Sequence, residues 1–119
     1  HHLVSSISAK LLENRHPLDV LKDAFPGGSI TGAPKKRAME VIDELELTAR
    51  GNYCGCSFVL GAEKYFDSNI LIRTMTYDQG KLSCSGGGGI VFDSECHQEY
   101  AESEIKVNKL LRALEPDSL

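Results

Sequence analysis

The sequence predicts an α+β fold in which an antiparallel sheet is flanked by helices. Three observations carry this. Two stretches with apolar residues at helical spacing, residues 34–47 and 95–114, enclose a run of strand-like segments. Those segments, at residues 53–60, 69–77 and 81–85, are short and rich in β-branched and aromatic residues. The last two are joined by Asp78-Gln79-Gly80, a link of hairpin length, so neighbouring strands run antiparallel.

Each element has its own warrant. Residues 3–12 mix apolar residues with serines and are expected to open as a strand. Pro17 suits a first helical turn, and Leu18, Leu21 and Phe25 follow at helical spacing. The tract PGGSITGAP, residues 26–34, reads as an irregular Gly-rich loop. It ends at Pro34, which suits the first position of the next helix. That helix carries Ala38, Met39, Val41, Ile42 and Leu45 as an apolar stripe, and Arg50-Gly51-Asn52 turns the chain after it. Four consecutive glycines, Gly86 to Gly89, precede the apolar pair Ile90-Val91. Asp93 and Ser94 are expected to cap the last helix, whose stripe is Val107, Leu110, Leu111 and Leu114.

Composition narrows the class. The 119 residues match one ordinary domain, and 41% apolar with 25% charged is globular. No stretch approaches the ~20 apolar residues of a membrane span, and the opening HHLVSSISAKLLENRHP lacks the long apolar core of a signal peptide. A net charge of −4 argues against a nucleic-acid partner. Cys54 and Cys56 are expected on one face of a strand. With Cys84 and Cys96 they lack zinc-type spacing, so they read as reduced packing cysteines of a cytoplasmic protein.

Four features point to chemistry. The loop 27–32 feeds a helix whose first turn is Lys35, Lys36 and Arg37, while Glu40, Asp43, Glu44 and Glu46 crowd its far end. That order opposes the helix dipole, and a bound anion would offset it; a solvated turn is the alternative. On the last helix, Glu99, Glu102 and Lys106 fall within a sector of roughly 60°. Two carboxylates one turn apart can share Mg²⁺, though an ordinary solvated Glu/Lys face has the same spacing. Arg73, in NILIRTMTY, is expected on a strand face with Leu71 and Met75, where it needs either a substrate carboxylate or a structural salt bridge. The glycine run suits close approach of a ligand or of another backbone, and a flexible loop is its plainer reading.

At FPGGSITGAPKKRAMEVIDELE the sequence resembles the chorismate-utilising enzymes. The likeness continues through HLVS at residues 2–5, NILIRT at 69–74, SGGGGIV at 85–91, DSE at 93–95 and EYAESEIKVNKLL at 99–111. GGSITG and SGGGGIV are more like the aminodeoxychorismate synthase branch than the anthranilate synthase branch, where AGTVSG and AGAGIV are usual. Ser103 stands where relatives have threonine.

The resemblance implies roles. His2 matches an active-site histidine. Ser29, Thr31, Tyr53, Arg73, Gly87, Gly89 and Lys106 match substrate-binding positions, and Glu99 and Glu102 match Mg²⁺ ligands. The implied reaction replaces the 4-hydroxyl of chorismate by an amino group, with Mg²⁺ as cofactor and ammonia from a glutamine amidotransferase subunit, on the route to 4-aminobenzoate and folate. Formation of anthranilate, or a non-catalytic anion- and Mg²⁺-binding module, are the alternatives. Residues 1–119 are expected to be the C-terminal part of a chorismate-binding domain, within a larger α/β/β/α sandwich. The PIKGT-type segment, whose lysine is the covalent nucleophile of the aminating branch, is not in these residues. The chain alone is therefore expected to be inactive and prone to self-association.

Overall fold

The computed structural model describes residues 4–114. Four α-helices and four short strands follow one another, with a 3-10 turn at Ala62–Lys64 between the first two strands: α1 (Pro17–Ala24), α2 (Gly28–Thr31), α3 (Lys35–Leu45), β1 (Cys56–Leu60), β2 (Phe66–Ile70), β3 (Met75–Asp78), β4 (Lys81–Cys84) and α4 (Cys96–Arg112). The α+β class and antiparallel pairing are as expected, but the strands form two separate hairpins, β1–β2 and β3–β4.

Local chemistry explains most boundaries. In α1 the cap is His16: its Nδ1 accepts from the Leu18 N–H at 3.2 Å, and its own N–H donates to Asp19 Oδ2 at 2.8 Å. The Gly-rich loop is not wholly irregular, because α2 forms a single helical turn inside it. There the Thr31 hydroxyl donates to the Gly27 carbonyl at 3.1 Å. Gly32 ends that turn at φ +118°, and a Cβ there would lie 2.9 Å from the Ala38 methyl group. Pro34 is the residue before α3 rather than its first. Residues 4–12, expected as a strand, have no regular structure, and no strand among the described residues pairs with them.

The expected strand at 69–77 is broken in two. Cys54 N–H donates to the Leu71 carbonyl and Leu71 N–H to the Gly55 carbonyl, so pairing with the first hairpin runs out at Leu71. Arg73 then adopts φ +50° and turns the chain toward β3. Arg73 is thus an exposed bend residue, not an arginine on a strand face. Tyr53 and Cys54 likewise precede β1. Tyr53 N–H closes a turn onto the Arg50 carbonyl at 3.1 Å, and Cys54 sits at φ +64°. Cys54 and Cys56 therefore do not share a strand face, and no disulfide joins the four cysteines. The β3–β4 turn is as expected: Gln79 and Gly80 both have positive φ, 46° and 82°, matching the twist of a two-residue hairpin.

Among the described residues only Pro17 and Cys54 are buried. The radius of gyration is 17.3 Å, against about 13–14 Å for a compact domain of this length. Phe58, Val59 and Leu60 on β1, and Ile90 to Phe92 after the glycine run, are exposed. The described residues form no closed apolar core.

Candidate active-site cleft

The cleft, about 460 Å³, lies where the glycine run crosses α4 and faces the turn before β1. Its wall includes Ser29, Arg50, Tyr53, Arg73, residues 85–90 and Lys106. Residues from five separate stretches of chain thus meet at one place.

The glycine run is shaped by what it touches. A Cβ on Gly86 would lie 2.4 Å from Val107 Cγ2 and 2.8 Å from the Ser103 carbonyl oxygen. On Gly87 it would lie 2.7 Å from the Tyr53 hydroxyl. On Gly88 it would lie 2.9 Å from Glu99 Oε2 and 3.7 Å from Glu102 Oε1. These three positions allow the backbone to lie directly on α4 and Tyr53. Gly89 faces open space.

On α4 the helical period places Glu99, Glu102 and Lys106 on one face. Lys106 Nζ pairs with Glu102 Oε1 at 2.5 Å and donates to the Gly87 carbonyl at 3.1 Å. The Ser94 hydroxyl donates to Glu99 Oε1 at 2.6 Å. Ser94 therefore does not cap α4; the residue at that position is Glu95, whose side chain makes no capping bond.

The opposite wall is held by an ion pair. The Arg50 guanidinium donates to both oxygens of Glu46, at 2.5 to 3.0 Å, and lies over the Tyr53 ring at 5.6 Å. The hydrogen bonds from Arg50 hold the Glu46 carboxyl below its ordinary range, and those to Glu46 push Arg50 up. Burial, more than any neighbour, pushes the Tyr53 phenol up, so it stays neutral and able to donate.

The matching residues are distributed as follows. Ser29, Tyr53, Arg73, Gly87, Gly89 and Lys106 line one cleft. Glu99 and Glu102 stand over Gly88 at its edge. Thr31 faces a neighbouring hollow behind Tyr53, and its hydroxyl is taken by Gly27. His2 lies outside the described residues. The basic start of α3 is satisfied internally: Lys35 Nζ donates to the Ala24 and Phe25 carbonyls at the end of α1, and Arg37 pairs with Glu40 and Glu44. Those contacts supply the negative partners for which the sequence had suggested a bound anion.

The family model for the chorismate binding enzymes matches residues 1–112. The chain belongs to the chorismate-binding enzymes. Aminodeoxychorismate synthase component 1 of Salmonella typhimurium is 55% identical over 115 residues, covering 97% of this chain and 25% of that protein. The Escherichia coli protein of the same name is 54% identical over 115 residues, with the same shares. Anthranilate synthase component 1 of Bacillus subtilis is 44% identical over 113 residues, covering 95% of this chain and 22% of that protein. The chain thus spans about a quarter of the length of the curated relatives it matches.

In this chorismate-binding chain Arg50 lines the cleft, and Ser94 holds Glu99 at its edge, although neither stands out in the sequence. The sequence marks Arg50 only as part of a turn, although Glu46 one helical turn before it is an ordinary ion-pair signal. Its position before an apolar helical stripe marks Ser94 only as a helix cap. Its contact with Glu99 depends on how the chain enters α4, and no sequence spacing announces that.

Proposed function

We propose that this chain supplies one wall of a chorismate site in an enzyme that aminates chorismate at C4 to 4-amino-4-deoxychorismate. A single observation carries the reading: Arg73 and Lys106, distant in sequence, face the same cleft beside the paired carboxylates Glu99 and Glu102. The ligand such a wall suits is a small dianion. The greater identity to relatives named aminodeoxychorismate synthase than to those named anthranilate synthase favours amination.

In this reading Arg73 and Lys106 bind substrate carboxylates, Tyr53 donates from its neutral phenol, and Ser29 lines the pocket. Gly87 and Gly89 let the backbone come close to the ring. Mg²⁺ would be held by Glu99 and Glu102. Both carboxylates turn an oxygen toward Gly88, an all-oxygen donor pair of the kind Mg²⁺ takes with water and substrate completing its shell. When bound, the ion neutralises and orients a substrate carboxylate. Ammonia comes from a glutamine amidotransferase subunit, and the product leads to 4-aminobenzoate and folate. The exposed apolar residues of β1 and of the segment after the glycines support a place within a larger α/β/β/α sandwich, of which residues 1–119 form the C-terminal part. Four unbridged thiols suit a cytoplasmic setting.

The test supplies the full-length protein with chorismate, Mg²⁺ and an ammonium salt and identifies the product by mass. Aminodeoxychorismate is the expected product. Anthranilate would overturn the choice of reaction, and chorismate binding without turnover would leave only a binding module. The isolated 119 residues are expected to show no turnover.

A further inference from the structure

Ser94 makes three hydrogen bonds that together leave its hydroxyl a single orientation. Its N–H donates to the Val91 carbonyl at 3.0 Å, and the Val91 N–H donates back to Ser94 Oγ at 3.0 Å. With Oγ already accepting from Val91, its one proton is directed to Glu99 Oε1 at 2.6 Å, within the range of a charge-assisted O–H···O⁻ bond. Glu99 has two carboxylate oxygens, and this bond divides their work. Oε1 is tied to Ser94. Oε2 is the atom that approaches Gly88, on the side where Glu102 Oε1, itself paired with Lys106 Nζ, also approaches. A glutamate without that tether would rotate about its terminal torsion, which is broad and roughly two-fold.

We propose that Ser94 is a positioning residue for the divalent-cation site: by anchoring Glu99 Oε1 it presents Oε2 together with Glu102 to the cation. Partners of metal-ligating groups commonly act this way, holding ligand orientation and basicity. The proposal rests on the reading of Glu99 as a cation ligand, so the experiment tests both separately.

Mn²⁺ is the probe, and its binding to the full-length protein is followed by electron paramagnetic resonance without chorismate. Ser94→Val and Ser94→Thr have the same shape and differ in the hydroxyl. Ser94→Val is expected to weaken Mn²⁺ binding by about 10–100-fold, while Ser94→Thr stays close to wild type and both unfold at the same temperature. Glu99→Gln is expected to weaken binding at least as much as Ser94→Val. Equal Mn²⁺ affinity in the Thr and Val variants, with Glu99→Gln still weakened, would overturn the role of Ser94 alone. Wild-type affinity in Glu99→Gln would overturn the ligand reading, and the positioning role with it.

Discussion

Lys106 Nζ donates a hydrogen bond to the carbonyl oxygen of Gly87 at 3.1 Å while pairing with Glu102 Oε1 at 2.5 Å. One ammonium thus ties the glycine run to α4 and balances a carboxylate at the cleft edge. Its side chain is 30% exposed, so it remains open to an incoming anion. The contact is between residues nineteen apart in the chain.

Lys106→Met keeps the aliphatic stem and removes the charge. It is expected to speed amide exchange in residues 86–89 and to cost about 1 kcal/mol of stability, the usual size of one net hydrogen bond. Chorismate affinity of the full-length protein should fall at the same time. Exchange rates at the glycines equal to those of wild type would show that Lys106 does not hold the run.

Gly86→Ala is expected to destabilise by about 1–3 kcal/mol, the range for overpacking a close contact. The new methyl meets both Val107 Cγ2 and the backbone oxygen of Ser103. Adding Val107→Ala should recover only part of the loss, because the backbone oxygen cannot move aside. Full recovery in chemical denaturation of the double variant would place the whole clash on the Val107 side chain.

Arg73 separates stability from binding. It holds φ +50° without being glycine, a conformation that costs a residue with a Cβ about 1–2 kcal/mol. Arg73→Gly should therefore unfold at or above the wild-type denaturant midpoint, yet lose chorismate binding in the full-length protein. Arg73→Ala should lower kcat/KM by a factor equivalent to ~2–5 kcal/mol of lost transition-state stabilisation, as for a truncated charged contact. A near-wild-type kcat/KM in both variants would return Arg73 to a purely structural place.

The Glu46–Arg50 pair gives a pH signature. Its hydrogen bonds to Arg50 depress the folded-state pKa of Glu46. Its stabilisation is therefore complete above the unfolded carboxylate value, ~4.3, and is lost as pH falls through the lower folded value. With the Glu46 side chain 38% exposed, solvent limits the contribution to roughly 0.3–0.5 kcal/mol. The stability difference between wild type and Glu46→Gln should shrink from neutral pH toward about pH 3. A difference that is flat, or that grows on acidification, would contradict the pair.

Local patterns made a good part of this protein legible. The helical period put Glu99, Glu102 and Lys106 on one face of α4 before any contact was known, because 3.6 residues per turn is a property of the backbone alone. The hairpin at Gln79-Gly80 and the helices α1, α3 and α4 were equally readable, since turn chemistry and apolar spacing act over a few residues. The break at Arg73 was not. The alternation in NILIRTMTY runs straight through it, and only the end of pairing at Leu71 stops the strand. Lys35 also looked like an anion ligand until α1 placed two carbonyl oxygens against it. Sequence by itself determined the α+β class, the charged face of α4 and the family. Tertiary structure decided where strands end, which cations remain open to the cleft, and that Ser94 holds Glu99. Strand ends and polar partners depend on which distant segments arrive beside them, and hydrogen-bond geometry is settled only when they do.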